Sequence, residues 1–132
     1  MKKEVHPIRE AERYLQNAKQ MLSEKAKKDG NYYEDAKYVK LAGHAAWTGV
    51  LIALDAVLGI HENMKKSQRP DFKDYMNAIA QKDSKMTNPL LVTYELCHKV
   101  LGYDGNPSYK VVKTSLEEAN YIIKWAEKNY QR

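Results

Sequence analysis

Residues 38–60 read YVKLAGHAAWTGVLIALDAVLGI. Laid on a helix, this stretch is apolar on nearly every side, with polar side chains at only a few positions. A surface helix carries one apolar stripe, whereas a helix that is apolar all round is usually buried. The longest apolar run, 45–60, falls short of the ~20 residues needed to cross a bilayer, and it contains Asp55. The reading is a central core helix enclosed by the rest of the chain, with no membrane span.

On the N-terminal side, Ile8, Ala11, Leu15, Ala18, Leu22 and Ala26 recur every three or four residues. They predict a first helix from about Pro7, a residue tolerated in a first turn, to about Lys28. Asp29-Gly30-Asn31 is turn chemistry. The central helix then starts near Tyr33–Asp35 and ends near Gly59–Glu62. Residues 63–70 (NMKKSQRP) carry no apolar period and read as a linker closed by proline.

Asp71 caps a short third helix with Phe72, Tyr75, Met76 and Ile79 inward. A fourth helix spans roughly Ser84 to Gly102, turning Met86, Leu90, Tyr94, Cys97 and Leu101 to the core. The run 103–107 (YDGNP) is the strongest turn in the chain, and Ser108 caps a last helix. There Val112, Leu116, Ala119, Ile123, Ala126 and Tyr130 alternate spacings of four and three, close to a coiled-coil repeat. No β-strand alternation is evident. The sequence predicts an all-α protein: one domain over residues 1–132, an antiparallel up-and-down bundle of four long helices and one short one.

Composition narrows the function classes. Hydrophobic residues make up 43% and charged residues 30%, which argues for a folded globular chain rather than a disordered one. The net charge of +5 permits an acidic partner or nucleic acid, but the basic groups are short: Lys2 and Lys3; Lys25, Lys27 and Lys28; Lys65, Lys66 and Arg69. Cys97 is the lone cysteine, so there is no intrachain disulfide, and the N-terminal segment lacks the apolar core of a signal peptide. A cytoplasmic protein is expected.

Five polar positions are candidates for chemistry. His44, Thr48 and Asp55 share one face of the central helix with Leu51. They are either a polar binding site in the bundle core or packing groups bonded to a neighbouring helix. Tyr94 and His98 lie four residues apart on the fourth helix, the weak catalytic candidates. Cys97 points about 100° away from His98 on a helix, so the two do not form a nucleophile pair. His6, His44, His61 and His98 are scattered, without the spacing of a helical metal site, and no Gly-rich phosphate loop is present, so neither metal nor cofactor is expected. Ten tyrosines accompany one phenylalanine. Tyr32, Tyr33, Tyr103, Tyr109 and Tyr130 fall near helix ends, where an aromatic body and a wet tip suit the rim, or where a base could stack.

The segments AERYLQNAKQML (11–22) and DGNYYEDAKYVKLAGHAAWTGVLIALDAVL (29–58) resemble the opening helices of the HEPN family, small helical bundles found mainly in prokaryotes. Residues 78–86 and 94–127 resemble, more specifically, an uncharacterised family of small bundle proteins from Bacteroidetes, itself similar to HEPN. The resemblance implies a four- or five-helix bundle, commonly dimeric, and a small nucleotidyltransferase-type protein as partner in a toxin–antitoxin-like pair. It implies RNA cleavage in members with an Arg-x4–6-His motif. This chain departs from that motif, because residues 88–97 ahead of His98 contain no arginine and Tyr94 stands at the four-residue offset. Three readings follow, in order: a non-catalytic bundle acting by homo- or hetero-association; an RNA-binding or degenerate ribonuclease; and a small-molecule or nucleotide-binding bundle using His44 and Asp55.

Overall fold

The computed structural model describes residues 6–65 and 68–130. Lys2, Lys3 and Lys66, named above among the basic groups, lie outside the described residues. The chain folds as an all-α bundle. Helix α1 (Pro7–Met21) continues into a widened π-helical turn at Leu22–Ala26, and α2 (Ala36–Leu58) is followed by a 3-10 turn at Ile60–Asn63. Helix α3 (Phe72–Lys82) leads through a second 3-10 turn, Ser84–Met86, to α4 (Thr87–Thr93). Helix α4 runs on as π-helix over Tyr94–Tyr103, and α5 (Tyr109–Asn129) closes the bundle.

Local chemistry sets these boundaries. His6 Nδ1 accepts the amide of Ile8 at 3.2 Å, and Pro7 occupies the first turn of α1. Asp35 accepts from the amide of Lys37 at 3.1 Å and starts α2. Asp71 and Asp74 form a reciprocal capping box at 3.1 and 2.8 Å, and the Ser108 hydroxyl accepts from the Val111 amide.

Helices α1 and α5 and the π-helical end of α4 pack on α2, which buries Val39, Ala42, Ala46, Val50, Ala53 and Leu54. From α5, Val112, Leu116, Ala119, Ile122, Ile123 and Ala126 complete the core. Asp83 Oδ2 accepts from Trp125 Nε1 at 3.0 Å and ties the α3–α4 corner to α5. By length and composition α2 is apolar enough to cross a membrane, but a core helix has the same features, and here it packs at the centre of the bundle.

Three expectations need correction. The first is the absence of β-structure: Lys28–Asp29 (β1) pairs antiparallel with Tyr32–Tyr33 (β2), in the register Lys28↔Tyr33 and Asp29↔Tyr32. Gly30, at φ +63°, supplies the left-handed residue this two-residue loop requires. The strands are too short for alternation to be visible in sequence.

The second is the enclosed axle. One face of α2 stays partly open: Leu41 is 44% exposed, His44 is exposed, and Thr48, Leu51, Ile52 and Asp55 are half-buried. His44, Thr48 and Asp55 therefore line the outside of the bundle and not a core pocket. The third is helix type. The fourth helix, read from sequence as one helix over roughly Ser84 to Gly102, is π-helical from Tyr94 to Tyr103, and the Asp104 amide that closes it bonds Lys99 O, five residues back, at 2.9 Å.

Candidate functional site

The widened helix meets α2 at Gly43. A Cβ on Gly43 would sit 2.6 Å from Leu101 Cβ and 2.7 Å from both Cys97 O and Gly102 N. The backbones touch here, and glycine is the residue that lets them. That approach carries the side chains of Tyr94 and His98 over those of His44 and Trp47.

The result is an aromatic and imidazole cluster. His98 and His44 have ring centroids 6.2 Å apart at 74°. Tyr94 stacks on His98 at 5.1 Å, and Phe72, from the start of α3, stacks on Tyr94 at 3.9 Å. The nearly buried Trp47 packs beneath, 5.3 Å from Tyr94, and the exposed Tyr103 meets the edge of His98 at 5.7 Å.

His98 Nδ1 is buried and has no hydrogen-bond partner among the described residues. Burial, then the neighbouring His44, then Lys99 hold the His98 imidazole below its ordinary pKa. It is thus favoured neutral, the state in which an imidazole takes up a proton. Among the described residues no arginine bonds to it. Arg9 is engaged by Glu12 and by Glu127 (2.8 Å), and Lys99 pairs with Glu95 at 3.4 Å.

Thr48, half-buried one turn on from His44, is in none of these ring contacts, and Asp55 stands apart from the cluster. Asp55 lies eleven residues past His44, about 16 Å along the helix. It accepts from Tyr75 OH at 2.7 Å and sits 3.3 Å from His61 Nε2, which anchors α3 on α2. Burial, then the bond to Asp55, push the Tyr75 hydroxyl pKa up, so it stays the donor. Cys97 is fully buried, and its Sγ contacts Ser115 O at 3.4 Å. Burial first, and then Glu118, push its thiol up to about 12, which leaves it no nucleophile. Among the described residues no group of three or more His, Cys, Asp or Glu side chains could hold a metal ion.

One site lay outside the candidates drawn from sequence. Where α1 ends, the hairpin folds against α5 and forms an open cleft of about 510 Å³ lined by Tyr33, Tyr109 and three lysines, Lys19, Lys28 and Lys113. The clue in sequence was the tyrosines at helix ends beside lysine. Nothing local pairs Tyr33 with Tyr109, seventy-six positions away.

Fold and surface together define a small helical-bundle protein with a solvent-facing aromatic–histidine cluster. The chain belongs to the family described as Domain of unknown function (DUF5618), whose family model matches residues 6–128. It is similar to a solved structure, a protein of unknown function from Dyadobacter fermentans. The two share 41% identity with a TM-score of 0.82 over 92% of this chain and 93% of that one. No curated protein matches the chain.

Proposed function

We propose that this chain is a HEPN-like bundle without catalytic activity that works by association, first with a second copy of itself through the outer face of α2. The observation that supports this is the open face itself. The most apolar helix of the chain leaves Leu41 exposed and Leu51, Ile52 and Ala56 half-exposed. Apolar surface of this kind is stabilised when a partner covers it.

The charges on this face favour a second copy as that partner. Lys37 and Asp55 are eighteen residues apart, about five helical turns, so they lie on one line at opposite ends of the strip. Two copies related by a two-fold axis across the middle of the strip bring each Lys37 to the partner's Asp55. Leu41, Thr48 and Ile52 are then covered between them. An isologous contact needs such a self-complementary patch.

Light scattering on the eluting wild type should give twice the chain mass, and Ile52→Glu should give the monomer. K37D alone and D55K alone should each weaken the dimer by setting like charges opposite one another. A mixture of the two single variants should form the heterodimer, because both contacts are then complementary. A monomeric wild type at high concentration, or single variants that dimerise as well as the wild type, overturns the reading. The HEPN resemblance makes a nucleotidyltransferase-type protein the hetero-partner to test in the same assay.

A second reading rests on the His44–His98 pair. Two imidazoles across a helix contact are a minimal acid–base set for RNA cleavage, with neutral His98 as the base. Identical background products from wild type and His98→Ala end it.

A further inference from the structure

We infer that the cleft lined by Tyr33 and Tyr109 is a binding site for a nucleotide, held by its planar ring and its phosphate together. The argument starts from rigidity. The Tyr33 amide bonds Pro107 O at 2.8 Å, the Tyr109 amide bonds Asn31 O at 2.9 Å, and Tyr32 bridges to Ser108. These bonds lock the β1–β2 hairpin onto the first turn of α5 without involving either phenol ring. The two rings lie in tilted contact, 6.2 Å apart at 46°, and form one continuous aromatic side of the opening.

The floor is apolar. Leu22 comes from the π-helical end of α1, and Val112 and Leu116 from the inward face of α5. A cleft of about 510 Å³ lies within the ~300–1,000 Å³ range of small-molecule sites. An apolar floor beside an aromatic wall suits a flat heterocycle, which loses little hydration and gains stacking.

The rim is cationic. Lys19, Lys28 and Lys113 line the cleft against one carboxylate, Glu117. None of the three lysines makes a salt bridge among the described residues. Lys28 Nζ is instead held 4.0 Å over the Tyr109 ring, so the ammonium and the ring wall form one unit. Burial, followed by the neighbouring Tyr109, raises the Tyr33 phenol above its ordinary pKa, so it remains protonated as a donor. The chemistry that matches is a phosphate on the lysines, a ring over Leu22 and Val112, and base-edge groups within reach of Glu117 and Asn120.

A second depression of about 430 Å³ shares Tyr109 and continues along Tyr32, Ser108 and Lys110. The occupant is therefore either a free mononucleotide or one unit of a single strand, and the same residues serve both.

Calorimetric titration of the full chain separates these sources. The probes are adenosine monophosphate, adenosine, inorganic phosphate and a ten-nucleotide oligoadenylate RNA. Adenosine monophosphate should bind one to one, and adenosine or phosphate alone about tenfold more weakly, since each fills half of the site. Lys28→Ala and Tyr109→Ala should each weaken it about tenfold. Tyr109→Phe should retain binding, because the wall is the ring and not the hydroxyl. Amide shift mapping should place the response at 19–33 and 109–120. A strand as the natural occupant shows as an oligoadenylate affinity well above the mononucleotide's, with a steeper fall in salt.

Absence of binding by both nucleotide probes at millimolar concentration overturns the inference. So does binding that Lys28→Ala and Tyr109→Ala leave unchanged. The association reading stands or falls separately, because Ile52→Glu should leave nucleotide binding intact.

Discussion

Helix α2 has two faces that behave differently. Along the inner face run Val39, Gly43, Ala46, Val50 and Leu54, all buried against α1, α5 and the π-helical end of α4. Along the outer face run Lys37, Leu41, His44, Thr48, Ile52 and Asp55, exposed or half-buried. What separates the faces is size at the contact. Gly43 on the inner side, and Gly49, whose Cβ would lie 2.8 Å from Ala11 O, let neighbouring backbones touch the helix. The outer side has no such gap and offers side chains alone. The inner face is thus specified by backbone contact, and the outer face waits on a surface that fits it.

This contrast can be broken by mutation, and the largest effect belongs to the inner face. Gly43→Ala should lower the free energy of unfolding by about 2 kcal/mol in urea denaturation, because overpacking against backbone atoms outweighs the ~1 kcal/mol gained in helix propensity. Tyr75→Phe removes the 2.7 Å bond to Asp55 that ties α3 to the outer edge of α2. It should cost about 1 kcal/mol in the same measurement.

Ile52→Glu, on the outer face, should cost the isolated chain no more than about 1 kcal/mol, because its half-buried side chain loses only part of its contact with the core, while abolishing its self-association. Equal losses from Gly43→Ala and Ile52→Glu would mean that the two faces are packed alike, and the distinction would fall.

The smallest effect is a slope in pH. The pKa of His98 in the folded chain lies below 6.5. Just below pH 6.5 the unfolded chain therefore binds more protons than the folded one. The contribution of a neutral His98 is complete above the unfolded value and is lost as the pH falls through the folded one. Between about pH 5 and pH 7, the wild type should lose melting temperature on acidification more steeply than His98→Gln. Parallel curves would show that the cluster leaves His98 unperturbed.

Much of the fold was legible because its signals are local. Asp35, Asp71 and Ser108 each stand where a side chain must accept an orphan amide, and each one does. The apolar periods of the first and last helices point the correct residues inward, since those helices have one apolar stripe each. On the central helix that logic fails. Its apolar residues surround it, so periodicity gives no direction, and the face carrying His44, Thr48 and Asp55 was read as interior. The hairpin was missed for a different reason: strands of two residues leave no pattern.

The candidate residues divide along the same line. Tyr94 and His98 share a helix, so their proximity was written in their spacing. His44 joins them only because Gly43 and Gly102 remove the side chains that would hold α2 and the π-helical segment apart. Tyr33 and Tyr109 meet only because the hairpin bonds the start of α5.

By itself the sequence determined where helices begin and end, which is set by hydrogen bonds and side-chain periods spanning a few residues. The tertiary structure alone decided which side of α2 stays open and which distant rings become neighbours. Those outcomes depend on how closely two backbones approach, and closeness between segments far apart in the chain is a property of packing that no local pattern records.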